Sequence, residues 1–333
     1  MTIQLFDLVA EYIDNLLLYA LSIKKDLDKE HVYFLSGARN HFFKLEAACR
    51  YLREIDHEKT FDEYYDIFKE AEDQLGQYDH HFALLSEIRK IGKQWPAKVI
   101  DHFEDQHKSS AKKLENYLEK EEWMQQNPPH LIRFIEKLKQ MESISGEDFK
   151  ERTGKFLIKT IDKISDNYKN GKLDASEIEE GVHEIRRKIR WLSIYTQVCG
   201  GMIQLSSEKI PDSFPSQYIG KDILNSDFMK MPKALKDVSP ITIRTELFAA
   251  LSWMINYLGS QKDIGLKIVA CTEAFKETGI DDPQEIEKLL IHINPEQLKL
   301  NDITDQAKTA LDLFFLKHKI LDGLADDIKQ SIK

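Results

Sequence analysis

The stretch "EEGVHEIRRKIRWLSIY", residues 179–195, gathers a histidine, three arginines and a lysine within eight positions of an otherwise acidic chain. At about 100° per residue, His183, Arg186, Arg187 and Arg190 fall on one side of a helix. Val182, Ile185, Ile189, Leu192 and Thr196 fall on the other and form a core stripe. Arginine presents a planar fork of N–H donors that matches phosphate oxygens two at a time. A histidine beside a bound anion gains a proton more readily and adds a further donor. This face therefore suits a phosphorylated ligand. A plainer reading stands beside it, because a charged helix face is commonly just solvated. Glu180 and Glu184 lie close enough to neutralise part of the face, and Glu184–Lys188 is an ordinary pair one turn apart.

Other groups extend or compete with that chemistry. Lys155, Lys159 and Lys163 recur every four residues after Arg152 and form a second basic stripe. Lys221, Lys230, Lys233 and Lys236 lie in or beside the Pro-rich stretch that follows and read equally well as a flap over a groove or as charges that keep an exposed loop soluble. Glu-x-x-His occurs at Glu54/His57, Glu104/His107 and Glu180/His183, a pattern used in di-iron bundles. His57 and His107 sit in highly charged contexts, and His183 stands next to arginines that repel a cation, so no metal ligand is assigned. The Asp79, His80, His81 triplet reads equally well as a polar helix junction. No nucleophile elbow and no Gly-rich phosphate loop are present. Cys199 precedes Gly200-Gly201 at a helix C-terminus, where the dipole disfavours a thiolate. No catalytic residue and no cofactor are expected, which leaves a metal-dependent bundle enzyme as a distant alternative.

Bulk properties narrow the partners. The 333 residues carry a formal net charge of −10, which disfavours general duplex nucleic-acid binding. The three cysteines are far apart and form no CxxC pair, as expected in a reducing cytoplasm. The apolar start "MTIQLFDLVAEYIDNLLLYALSI" is broken by Asp7, Glu11 and Asp14 and reads as an amphipathic helix, not a leader. No apolar run reaches the roughly 18 residues a membrane span needs.

The elements that must position these residues are helical almost throughout. The period predicts helices over 3–26 and 29–55, then one opened by a Thr60/Glu63 capping box and ended at Leu75-Gly76. Others follow over 76–92, 96–123 and 148–169, the last stopped by Asn170-Gly171. A Ser176/Glu179 capping box opens the basic helix, which runs to Gly200-Gly201. Residues 205–240 show no clean period and contain Pro211, Pro215, Pro232 and Pro240. Helices resume at 240–258, after Leu258-Gly259 and from Thr304, and no strand is assigned. The fold class is all-α, with a first unit over 1–147 and a second over 148–333.

The basic helix resembles the signature of the CHAD family, the histidine-containing α-helical domains. The family pattern places His at 183, Arg at 186 and basic residues at 190, 191 and often 193; this chain has His183, Arg186 and Arg190 but Trp191 and Ser193. In the first half "SGARNHFFKLEA" can be laid on the same pattern, with Ser36 for histidine, Arg39 and Lys44 matching, Phe43 replacing a basic residue and Glu46 opposing the charge. Leu75-Gly76 with Asp79-His80, and Leu258-Gly259 with Asp263, stand where the family has a Leu-Gly helix junction and an Asp-containing turn. Ser36 lies 39 residues before Leu75, and His183 lies 75 before Leu258; the excess is about the length of the 205–240 segment. The resemblance implies two pseudo-symmetric helical bundles with a basic groove between them. It also implies non-catalytic binding of inorganic polyphosphate or another phosphorylated anion. The expected ligand-binding residues are His183, Arg186, Arg187 and Arg190, with Arg39, Lys159 and Lys163 in support. The first repeat has lost charge: residues 54–122 hold 18 acids against 10 Lys and Arg, whereas residues 152–190 hold 7 against 10. That loss, with the acidic total, favours the alternative of a helical interaction scaffold that no longer binds a ligand.

Overall fold

A computed structural model describes residues 2–22, 31, 33, 37–56, 60–236 and 238–333. Among them the regular structure is dominated by helices, as the apolar period predicts. The longest are Thr60–Ile91 and Thr245–Glu277, accompanied by Ala10–Ser22, Ala38–Asp56, Ala97–Lys120, Pro129–Gln140, Gly146–Lys169 and Glu184–Val198. Pro283–Leu290, Leu300–Asp312 and Ile320–Ser331 complete the C-terminal part. Local chemistry sets several of the ends. Ser145 Oγ accepts from the Asp148 amide and caps Gly146–Lys169. That helix stops where expected, with Gly171 in the left-handed region.

One large apolar core joins both halves of the chain. Phe42, Leu45 and Leu52 contribute from the first, and Ile185, Ile189, Leu192, Ile255 and Leu258 from the second. The predicted stripe Val182, Ile185, Ile189, Leu192 and Thr196 is buried. A smaller core, with Leu84, Ile88, Trp95 and Phe103 against Cys271 and Phe275, fastens the far ends of the two long helices.

Three expectations change. Thr60–Ile91 and Thr245–Glu277 run unbroken through Gly76 and Gly259, so neither Leu-Gly pair ends a helix. Ser176 and Glu179 make no capping box; a π-turn over Ile178–His183 leads into Glu184–Val198 instead, with Gly181 packed on the Asp174 carbonyl and Ala175. Short ladders are present where no strand was assigned. Thr2–Ile3 pairs antiparallel with Ile144–Ser145, and Ile203–Leu205 pairs parallel with Ile241–Ile243. The second ladder clamps the two ends of the irregular segment together. Gly201 starts that clamp, because a Cβ there would fall 2.0 Å from the Lys233 carbonyl oxygen. Tyr218 then anchors the segment, buried edge-on against Trp253 with its hydroxyl 3.0 Å from His318 Nδ1. Ser36, His57 and the 23–30 part of the first predicted helix pair lie outside the described residues.

Candidate anion site

Arg39, near the start of Ala38–Asp56, lies across Gly76 of the neighbouring long helix. A Cβ on Gly76 would come within 2.7 Å of Arg39 Nη2, so the missing side chain is what lets the guanidinium pass. Arg39 donates through Nε to Glu72 Oε1 and through Nη1 to Asp79 Oδ2, each at 2.7 Å. Burial pushes the Glu72 carboxyl up from its ordinary range, and Arg39 pulls it back. The arginine is thus paired with two carboxylates about two turns apart on one helix.

Arg186 stands in the same relation to Gly259. A Cβ on that glycine would fall 3.1 Å from Arg186 Nε, which donates to the Ile255 carbonyl at 3.1 Å. Its compensation differs. Asp263 faces Arg186 and favours its charge, but that carboxylate is already paired with Lys262 at 2.7 Å. Burial lowers the Arg186 pKa, and Arg39 adds to the effect by repulsion.

Arg190, one turn further on, completes a cluster. Its guanidinium carbon lies 4.5 Å from the centre of the Phe43 ring, and Arg39 approaches the same ring at 5.5 Å. Arg190 Nε is buried without a hydrogen-bond partner, and no carboxylate pairs with this side chain among the described residues. Burial, then repulsion from Arg186 and Arg39, pushes its pKa down to about 10, with Glu72 opposing. Phe43 and Trp191 meet edge-on at 5.8 Å, and Arg50 covers Trp191 at 4.3 Å while bonding Glu46 and Tyr65. The Phe43 face therefore holds the Arg190 guanidinium, the one member of the cluster whose N–H groups carry no hydrogen bond among the described residues.

The remaining predicted residues lie elsewhere. His183 Nδ1 is 3.0 Å from Glu179 Oε1; burial lowers its pKa, with Glu179 opposing and Lys262 and Arg186 adding to the drop. Arg187 pairs with Glu184 at 2.6 Å, and so does Lys188. Glu179, Glu180, His183, Glu184 and Arg187 line an open cleft that is acidic on balance. Lys159 is exposed and pairs with Glu54 at 2.7 Å, whereas exposed Lys163 has no carboxylate partner among the described residues. Arg39, Arg186 and Arg190 come together; His183, Arg187, Lys159 and Lys163 do not join them. The irregular segment packs on Ser252 and Trp253, one to two turns before Ile255 and Gly259 on the long helix. Its four lysines are exposed there.

No group of three or more His, Cys, Asp or Glu residues is arranged to hold a metal among the described residues. Glu104 is taken by Arg89 and His107 packs on Tyr78 and Phe82. All three cysteines are buried, and burial pushes the Cys199 thiol up to about 12. No described helix is long and apolar enough to cross a membrane. No family model, curated protein or solved structure matches the chain. Glu72 and the role of Phe43 were not expected from the sequence; the available signal was the shared four-residue spacing of Arg39/Phe43 and Arg186/Arg190.

Proposed function

We propose that this protein is a non-catalytic binding protein of the CHAD-like kind, which holds a phosphate-bearing anion between Arg186 and Arg190. One observation carries the reading: Arg190 is partly buried with its Nε unpartnered, faces two other arginines and forms no ion pair with a carboxylate among the described residues. A partly desolvated guanidinium without an ion-pair partner is destabilising, and an oxyanion at its solvent-facing edge would offset that cost. The passage of Arg39 over Gly76 and Arg186 over Gly259 supports the two-repeat reading, since both fall where the CHAD resemblance puts its motif. Buried thiols accord with a cytoplasmic setting. The test is a titration of inorganic polyphosphate at low and moderate salt against the wild type and Arg186→Ala/Arg190→Ala. Binding that weakens with salt and disappears in the double variant is expected. Equal binding by both proteins removes this site.

A second reading, an interaction scaffold whose arginines only brace helices, draws on the Glu72 and Asp79 pairing of Arg39 and on the acidic cleft beside His183. It predicts that Arg190→Met weakens the fold and that no oxyanion stabilises the wild type.

A further inference from the structure

The surroundings of Arg186 and Arg190 bear on the size of what they hold. We infer that this site takes a compact oxyanion, a single phosphate or pyrophosphate-like group, and does not thread an extended polyphosphate. The inference rests on the binding reading above and narrows its ligand.

Local charge is the first argument. Arg39, Arg186 and Arg190 supply three positive charges, and Glu72 and Asp79 supply two negative ones. Lys262 and Asp263 cancel as a pair. The surplus matches one anionic group and not a chain of them. Both ways out of the cluster are the second argument. Toward the N-terminus of the basic helix a ligand would meet Glu179, Glu180 and Glu184, the last already holding Arg187 and Lys188. Beyond Arg190 the helix turns into the core through Trp191, Leu192 and Ser193, all buried, where the family pattern calls for further basic residues. The lysine stripe that would extend a polymer track is on another helix, and Lys159 is spent on Glu54. The bed of the site is apolar as well. Phe43 packs against Arg190 and Arg39, so the ligand approaches guanidinium edges over an apolar floor that offers a chain nothing to bind.

The experiment compares inorganic phosphate, pyrophosphate and long-chain polyphosphate by calorimetry at two salt concentrations, with thermal midpoints recorded for the same samples. Phosphate or pyrophosphate should bind and raise the midpoint. Polyphosphate should bind no more tightly than pyrophosphate, with a log–log salt slope of about 1 to 2, the value for one or two phosphate contacts. Arg190→Met should raise the midpoint in phosphate-free buffer, because it removes a partly buried charge that no carboxylate pairs among the described residues, and should abolish the ligand-induced rise. Arg190→Lys keeps the charge but loses the fork and should bind about tenfold more weakly, the loss of one charge-assisted hydrogen bond. Arg187→Ala should match the wild type throughout. Affinity that climbs with chain length, or a salt slope above about 4, overturns the compact-ligand inference while leaving anion binding in place. Absence of binding by all three probes removes the binding reading itself.

Discussion

Two arginines in this molecule solve the same packing problem and end in different electrostatic states. Arg39 and Arg186 each cross a helix at a glycine that offers no Cβ. Arg39 then meets Glu72 and Asp79, whereas Arg186 meets a main-chain carbonyl and an aspartate already claimed by Lys262. Four residues on, the first half has Phe43 and the second has Arg190. A shared backbone arrangement thus yields a brace with two carboxylates on one arginine in the first half and a surface short of carboxylates in the second. Geometry alone does not make an anion site; what decides is which carboxylates the neighbouring helix supplies.

Removing each arginine in turn should separate the two halves most widely. Arg39→Met should strand the Glu72 carboxylate, whose side chain is 8% exposed, and cost about 2–4 kcal/mol. Arg186→Met frees only one carbonyl and should cost about 1 kcal/mol or less. Urea unfolding of both variants measures the gap, and equal losses would erase the distinction drawn between the halves.

A second difference lies three residues beyond Phe43 and Arg190, where the first half buries Glu46 and the second buries Ser193. Burial pushes the Glu46 carboxyl from 4.5 to about 7, with Arg50 opposing. Between those values the folded protein keeps a proton that the unfolded chain releases. Stability from this group is therefore present at the acid end and lost as pH rises through about 7. Wild type should lose on the order of 2 kcal/mol between about pH 5 and pH 8, and Glu46→Gln should flatten that slope. Ser193→Ala should leave the slope unchanged. The smallest effect belongs to the solvated cleft: Arg187→Ala breaks only an exposed pair with Glu184 and should change stability by less than about 0.5 kcal/mol.

Helical class and the core stripe of the basic helix were legible because a period of about 3.6 residues survives in any context. The fate of individual charges was not. A helical angle places Arg187 beside Arg186, but it cannot reveal that Glu184 turns back to hold it, or that Glu54 reaches Lys159 from another helix. Gly76 and Gly259 read as breakers because glycine gives one signal for two needs, a positive φ and an absent Cβ; here the second applies within continuous helices. Ladders of two or three residues are too short to carry an alternation, so they leave no trace in the sequence.

Continuity of the two long helices has a mechanical consequence. Each reaches from the arginine cluster, past the Glu87–Lys267 pair, to the small core around Ile88 and Phe275. Gly76 and Ile88 are twelve residues apart, about 18 Å along a rigid rod with a rise of about 1.5 Å per residue. Any tightening or spreading between the rods at the guanidinium groups must be transmitted to that distant apolar clasp. Amide exchange at Leu85, Ile88 and Phe275 therefore acts as a remote gauge of whether the crossing is filled.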